Sequence, residues 1–138
     1  MSDTDRIKDQ LRSTLRLRRK TLSPAAQHAA AQALTHSVED LPAWTRVQRI
    51  ALYLAADGEI DTTPVEKLAR GLGKQLFLPV VTDGGSLEFA RWEAGAVLSN
   101  NRYNIPEPPA AMPRCPVPGL DIIFLPLVGW DLRGGRLG

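Results

Sequence analysis

Lys8 and Arg12 lie four residues apart in a stretch that reads as helix, so they stand one turn above each other on one face. A lysine supplies a point charge and an arginine a planar fork, a pairing suited to phosphate or another oxyanion. The surroundings fit: residues 1–20 carry seven basic and three acidic side chains, a balance of +4 in a chain of net charge +2. Taken alone, charges on a helix are more often a solvated face, and Arg16, Arg18, Arg19 and Lys20 are read that way. Glu59 follows a short apolar run, where a carboxylate at the end of a buried strand can accept N–H donors from a ligand. Asp61-Thr62-Thr63 reads as a helix cap rather than a ligand set. His28 and His36 are eight residues apart with no third ligand and read as surface or packing residues. Cys115, the only cysteine, has no histidine near it in sequence and can close no internal disulfide.

The elements that must position these residues can be laid out along the chain. Residues 5–22 read as a helix with Ile7, Leu11, Leu15 and Leu22 near one face. Ser23-Pro24 caps a second, Ala-rich helix that runs to about Asp40. Arg49–Ala55 is a nearly continuous apolar run and reads as a strand buried on both faces. Asp57-Gly58 is a turn. Thr63-Pro64 starts a helix over Val65–Arg70, stopped by Gly71 and Gly73. Gln75–Val81 is a second buried strand, Asp83-Gly84-Gly85 a hairpin turn and Ser86–Trp92 an edge strand. Residues 99–119 hold six prolines and read as an irregular connection; Asp121–Leu127 is a third buried strand. The predicted fold class is α/β: one domain over 1–138, a three-layer sandwich with a mostly parallel sheet and two leading helices. Ligands in such sheets sit beyond the carboxyl ends of the strands. Here those ends run into Ala56-Asp57-Gly58-Glu59, Thr82-Asp83-Gly84 and Val128-Gly129-Trp130-Asp131.

Composition narrows the class. A length of 138 residues with 43% hydrophobic and 23% charged side chains builds one core and excludes a disordered chain. The longest apolar run, Leu120–Trp130, is broken by Asp121, Pro126 and Gly129 and is too short to span a bilayer. The charged N-terminus offers no secretory core, and a cytoplasmic location is expected. Nucleic-acid binding through the basic helix is disfavoured, because no aromatic residues interleave the charges of residues 1–20 and the remaining chain is acidic by two charges.

Four segments in order carry a family resemblance: K-D-Q-L-R (Lys8–Arg12), L-Y-L-A-A-D-G-E-I-D-T (Leu52–Thr62), Y-N-I-P-E-P (Tyr103–Pro108) and D-I-I-F-L-P-L-V-G-W-D-L-R-G-G-R-L-G (Asp121–Gly138). Together they resemble the 5-formyltetrahydrofolate cyclo-ligase family, also called methenyltetrahydrofolate synthetases. The resemblance implies a ligase of one-carbon metabolism with ATP as co-substrate and Mg²⁺ as cofactor. It implies that the formyl oxygen of 5-formyltetrahydrofolate takes the γ-phosphoryl group before the 5,10-methenyl ring closes. It places Lys8, Arg12, Arg136, Leu137 and Gly138 at ATP, and Leu54 and Glu59 at the folate, where Glu59 would face a pterin-like ring. In the family, R-L-G is followed by a glycine-rich phosphate loop and further elements. This sequence ends at Gly138, so the expected fold lacks those elements and the magnesium ligand is expected beyond that point. The alternative is a folate- or partner-binding remnant without catalysis. Trp130 is expected in core packing, Tyr103 as a loop anchor and Asp131 as a turn residue.

Overall fold

Two of the three helices begin on a serine cap, and two carry a proline in the first turn. The computed structural model describes residues Met1–Gly138. Helix α1 (Asp3–Lys20) starts at Ser2, which shares a capping box with Asp5, and ends with Arg18, Arg19 and Lys20 at its negative pole. Helix α2 (Pro24–Glu39) starts at Ser23, whose hydroxyl accepts from the Ala26 N–H, with Pro24 in the first turn. Helix α3 (Thr63–Gly71) also carries its proline in the first turn. Asp61, one residue ahead of the N-cap Thr62, accepts from both the backbone N–H and the hydroxyl of Thr63, while Thr62 itself makes no side-chain cap.

The main sheet has the order β3-β2-β1-β6. Strand β1 (Arg49–Ala51) runs parallel to both β2 (Gln75–Val81) and β6 (Ile122–Ile123). Strand β3 (Leu87–Arg91) is antiparallel to β2 and forms the edge, as the hairpin signal implied. The α/β class, the mostly parallel sheet and the leading helices are as expected. One outer layer is α2 and α3, packed over Ile50, Leu52, Leu76 and Leu78, which are all but inaccessible. Burying each such side chain contributes about 1.5–3 kcal/mol. The other layer contains no helix longer than one turn: Cys115 and Leu120, from the proline-rich connection, cover Ala51, Phe77 and Phe89. That connection is also more ordered than its composition suggested. Strands β4 (Ser99–Asn100) and β5 (Pro106–Glu107) pair as a small antiparallel hairpin.

Three expectations need correction. The strands read as Arg49–Ala55 and Asp121–Leu127 stay in the ladder for only three and two residues. Their apolar continuations peel apart and line a cavity instead. Of the apolar stripe of α1 only Leu15 docks: Ile7 and Leu11 are exposed, as is Leu22 beyond the helix, and α1 fully buries no residue. It docks through Arg12, Leu15 and Arg19 because it lies across loop ends, which present carbonyl groups rather than apolar side chains.

Asp121 ties the start of β6 to the start of β1. Its carboxylate accepts from the N–H groups of Arg49 (2.9 Å) and Gln48 (2.8 Å). The hydrogen bond from Arg49, then that from Gln48, holds the carboxyl below its usual range. A carboxyl lowered in the folded state stabilises it fully above the unfolded value near ~4, and that contribution fades as pH falls through the folded value. Urea midpoints taken from pH 7 down to pH 3 are therefore expected to fall more steeply for the natural chain than for Asp121→Asn. Parallel curves would remove this role from Asp121.

Candidate functional site

Beyond the carboxyl ends of β1, β2 and β6 lies a cavity of about 490 Å³, within the usual range for small-molecule sites. Its walls are mainly apolar. Leu54 and Glu59 come from the chain after β1, Pro79 from β2, Ile105 from the β4–β5 loop, and Phe124 and Pro126 from the chain after β6. Leu54 and Glu59, singled out separately in the sequence, share this one cavity. The position agrees with the general rule for open α/β sheets.

Glu59 is held by its own turn. One carboxylate oxygen accepts from the Ala56 N–H (3.0 Å), and the Glu59 N–H donates to the Ala56 carbonyl (3.0 Å). The other oxygen, Oε2, has no protein partner and is free to accept from a ligand. Beside it Tyr53 donates its hydroxyl to the Ile60 carbonyl at 3.1 Å. Burial first, then the negative charge of Glu59, pushes the Tyr53 phenol up to about 12. Tyr53 thus stays a protonated donor at neutral pH. The turn itself takes left-handed backbone at Asp57 (φ 56°) and Gly58 (φ 76°). A Cβ at position 58 would come within 3.4 Å of the Arg19 side chain, so glycine suits both the conformation and the contact.

Arg19 was read as a solvated charge, and the structure overturns that. Its side chain is only 14% exposed. It donates to the Asp57 carbonyl (2.9 Å), the Asp57 carboxylate (3.3 Å) and, at 3.4 Å, the Leu127 carbonyl. One guanidinium therefore joins α1 to the chain beyond β1 and beyond β6. Lys20 adds an ion pair to Asp57 at 2.7 Å. The hydrogen bond from Lys20, then the charges of Lys20, Arg19 and Arg16, hold the Asp57 carboxyl below its usual range. Arg19 could have been found from spacing: Lys8, Arg12, Leu15 and Arg19 follow one another at four, three and four, the period of one helix face.

The basic candidates lie on the same side of the molecule. Arg12 pairs with Asp9 and donates to the Gly138 carbonyl at 2.9 Å. Leu137 and Arg136 form strand β8 (Arg136–Leu137), paired with β7 (Gly129–Trp130). That hairpin seats on α1 at Leu15, where a Cβ on Gly129 would come within 2.6 Å of Leu15 Cδ1. Arg12, Leu137 and Gly138 are thus brought together. Lys8 lies one turn away and makes no ion pair, and Arg136 is exposed. Trp130 is 74% exposed, not in the core, because β7 belongs to this outlying hairpin. Tyr103 is also exposed, with the Arg102 guanidinium over its ring. Asp131 is the turn residue expected, accepting from the N–H groups of Arg133 and Gly135.

Sequence reasoning also missed Glu107. Its carboxylate accepts from the Val81 N–H (2.8 Å) and the Asn101 amide (3.0 Å), pinning the β4–β5 hairpin to the end of β2 beside the cavity. Its only signal was its place in Pro106-Glu107-Pro108. No three histidine, cysteine or acidic side chains cluster as a metal site.

The chain matches the model of the 5-formyltetrahydrofolate cyclo-ligase family over residues 4–138. It is 33% identical over 134 residues to a 5-formyltetrahydrofolate cyclo-ligase of Haemophilus influenzae, covering 95% of this chain and 72% of that protein. A cyclo-ligase of Escherichia coli is 34% identical over 128 residues, covering 90% and 70%. The solution structure of Aquifex aeolicus 5,10-methenyltetrahydrofolate synthetase superposes with a TM-score of 0.84 at 30% identity, covering 96% of this chain and 66% of that one. The chain thus spans about seven tenths of those two relatives and two thirds of the solved chain.

The clamp at Arg19 makes a local prediction. Arg19→Ala should raise hydrogen exchange at the Glu59 amide by about tenfold, a loss of ~1.4 kcal/mol in local opening, while β2 amides keep their protection. Arg19→Lys should restore part of it. Unchanged exchange in Arg19→Ala would show that α1 does not hold this turn.

Proposed function

Because the chain belongs to the 5-formyltetrahydrofolate cyclo-ligase family, we propose that it takes part in the ATP-dependent conversion of 5-formyltetrahydrofolate to 5,10-methenyltetrahydrofolate, in the cytoplasm. The observation that carries this reading is the cavity holding Leu54 and Glu59, flanked by a helix that bears Lys8 and Arg12 and is tied to the cavity's rim by Arg19. No helix is long and apolar enough to cross a membrane.

An amide oxygen is a poor leaving group, and phosphorylation makes it a good one. In this reading the formyl oxygen attacks the γ-phosphorus, an O–P bond forms, and the bond to the β-phosphate oxygen breaks to release ADP. N10 then attacks the formyl carbon, loses its proton, and inorganic phosphate leaves with the former formyl oxygen. Such transfers depend mostly on positioning and charge neutralisation. The Glu59 oxygen left free by its turn accepts N–H donors of the pterin ring. Leu54, Pro79 and Phe124 supply apolar walls. Lys8, Arg12 and Arg136 offset phosphate charge, with Leu137 and Gly138 at the start of the same nucleotide-binding strip. Mg²⁺, when bound with ATP, would screen the same phosphate charge that Lys8, Arg12 and Arg136 face.

The test mixes the chain with 5-formyltetrahydrofolate, ATP and Mg²⁺ and follows the near-ultraviolet absorbance of the methenyl product. Product formation requiring all components is expected. Thermal stabilisation by the folate without turnover would point to the folate-binding remnant instead. Arg12→Ala should raise the ATP KM about tenfold or more while changing stability by no more than ~1 kcal/mol. Glu59→Gln should act on the folate KM and leave that of ATP alone. If Arg12→Ala keeps its ATP dependence, or Glu59→Gln its folate dependence, that residue leaves the site.

A further inference from the structure

A second cavity, of about 370 Å³, opens at the opposite end of the sheet. Arg49 and Gln75 are the first residues of β1 and β2 and pair in register. Phe77 lies two residues past Gln75 on the same face, and Arg91, the last residue of β3, pairs with it. Arg49, Gln75, Phe77 and Arg91 therefore form one row on the face not covered by helices. The covering segment adds Arg114 and the buried Cys115. Three guanidiniums thus rim one cavity over a floor of Phe77 and Cys115.

Their own partners are few. Arg91 Nε pairs with Glu93 at 3.0 Å. Arg114 donates one N–H to the Met112 carbonyl at 2.8 Å. The Arg49 guanidinium and the Gln75 carboxamide make no hydrogen bond within the chain. The nearby Asp121 carboxylate accepts from the N–H groups of Gln48 and Arg49. Glu93 and Asp121 offset part of this charge, but three guanidiniums still outnumber two carboxylates, and a counter-anion at the concave surface would offset the remainder. Planar forks with unused donors suit an anion with several oxygens rather than a halide.

We propose that Arg49, Arg91 and Arg114, with Gln75, form a second oxyanion-binding site, remote from the folate cavity, for a ligand carrying two or more negative charges. Such a ligand draws its oxygens either from phosphoryl groups or from carboxylates along an acidic chain. The proposal is independent of the catalytic reading, since Arg49 and Gln75 begin the strands whose far ends carry Leu54, Glu59 and Pro79.

The test uses the 138-residue chain, inorganic pyrophosphate and tri-glutamate as separate probes, and calorimetry at physiological ionic strength. Pyrophosphate can also bind at Lys8, Arg12 and Arg136, so titrations are run in Arg12→Ala/Arg136→Ala as well. Saturable binding of one probe is expected to survive in that variant and to weaken by about tenfold or more in Arg49→Ala/Arg114→Ala. The probe retained identifies the source of the oxygens. Circular dichroism and thermal unfolding check that Arg49→Ala/Arg114→Ala remains folded. A second variant, Arg91→Ala, should weaken binding without removing either exposed arginine. Absence of saturable binding by both probes would overturn the proposal. So would binding that Arg49→Ala/Arg114→Ala leaves intact, or binding lost in Arg12→Ala/Arg136→Ala.

Discussion

The short central strand is the constraint on which the rest depends. β1 pairs with β2 for three residues and with β6 for only two, and then β1 and β6 part. Parting strands leave backbone groups without ladder partners, and each must find another. Leu52 still donates to Phe77, and Phe124 to Ala51. Further along, side chains take over: the Thr62 hydroxyl donates to the Tyr53 carbonyl, and Glu59 accepts from the Ala56 N–H. The same splaying that opens the cavity thus recruits the groups that line it. Pro79 fits there, since β1 pairs with β2 only as far as Phe77.

Helix α1 completes this arrangement by polar contacts. An amphipathic helix would normally dock with its apolar stripe. Here the surface it meets is a rim of turns, whose exposed groups are carbonyls, and arginines satisfy them. Arg19 reaches both halves of the rim at once. The face that docks α1 is therefore also the one that carries Lys8 and Arg12. A movement of the helix would shift the basic groups and the Glu59 turn together.

Much of this was legible in sequence, and the failures share a cause. The helices were legible to within about two residues at each end because their signals are local: Ser23-Pro24 and the Asp61–Thr63 step act within a few positions, whereas the Ser2 cap of α1 was not read. β2 and β3 were legible because β2 is apolar on both faces and a turn joins them. The lengths of β1 and β6 were not legible, because an apolar residue facing a cavity has the same composition as one facing a core. Arg19 and Glu107 were missed for a related reason. Their partners, Asp57, Leu127, Val81 and Asn101, are mostly far away in sequence, and a charged side chain in isolation reads as solvated. Trp130 was misplaced in the other direction, since size alone argues for burial, whereas it sits 74% exposed on the outlying β7–β8 hairpin.

In the proposed folate reading, the geometry of Glu59 lets a single carboxylate meet its ligand already in position. One oxygen is occupied by its own turn, which fixes the side chain's rotamer before any ligand arrives. The turn in turn is fixed by Arg19 from α1 and by Gln27 of α2, whose amide donates to the Gly58 carbonyl. The remaining oxygen is thus presented in one place, and little ordering cost is left to binding. Tyr53, kept protonated beside it, spends its proton on the Ile60 carbonyl and does not compete for the carboxylate. A ligand that offers N–H donors gains a charge-assisted acceptor already in position. One that offers only acceptors meets a negative charge at the cavity wall. In the proposed folate reading, selectivity for a ring edge rich in N–H groups would arise from the turn that closes on Glu59, not from the apolar walls, which would accept any flat ring of suitable size.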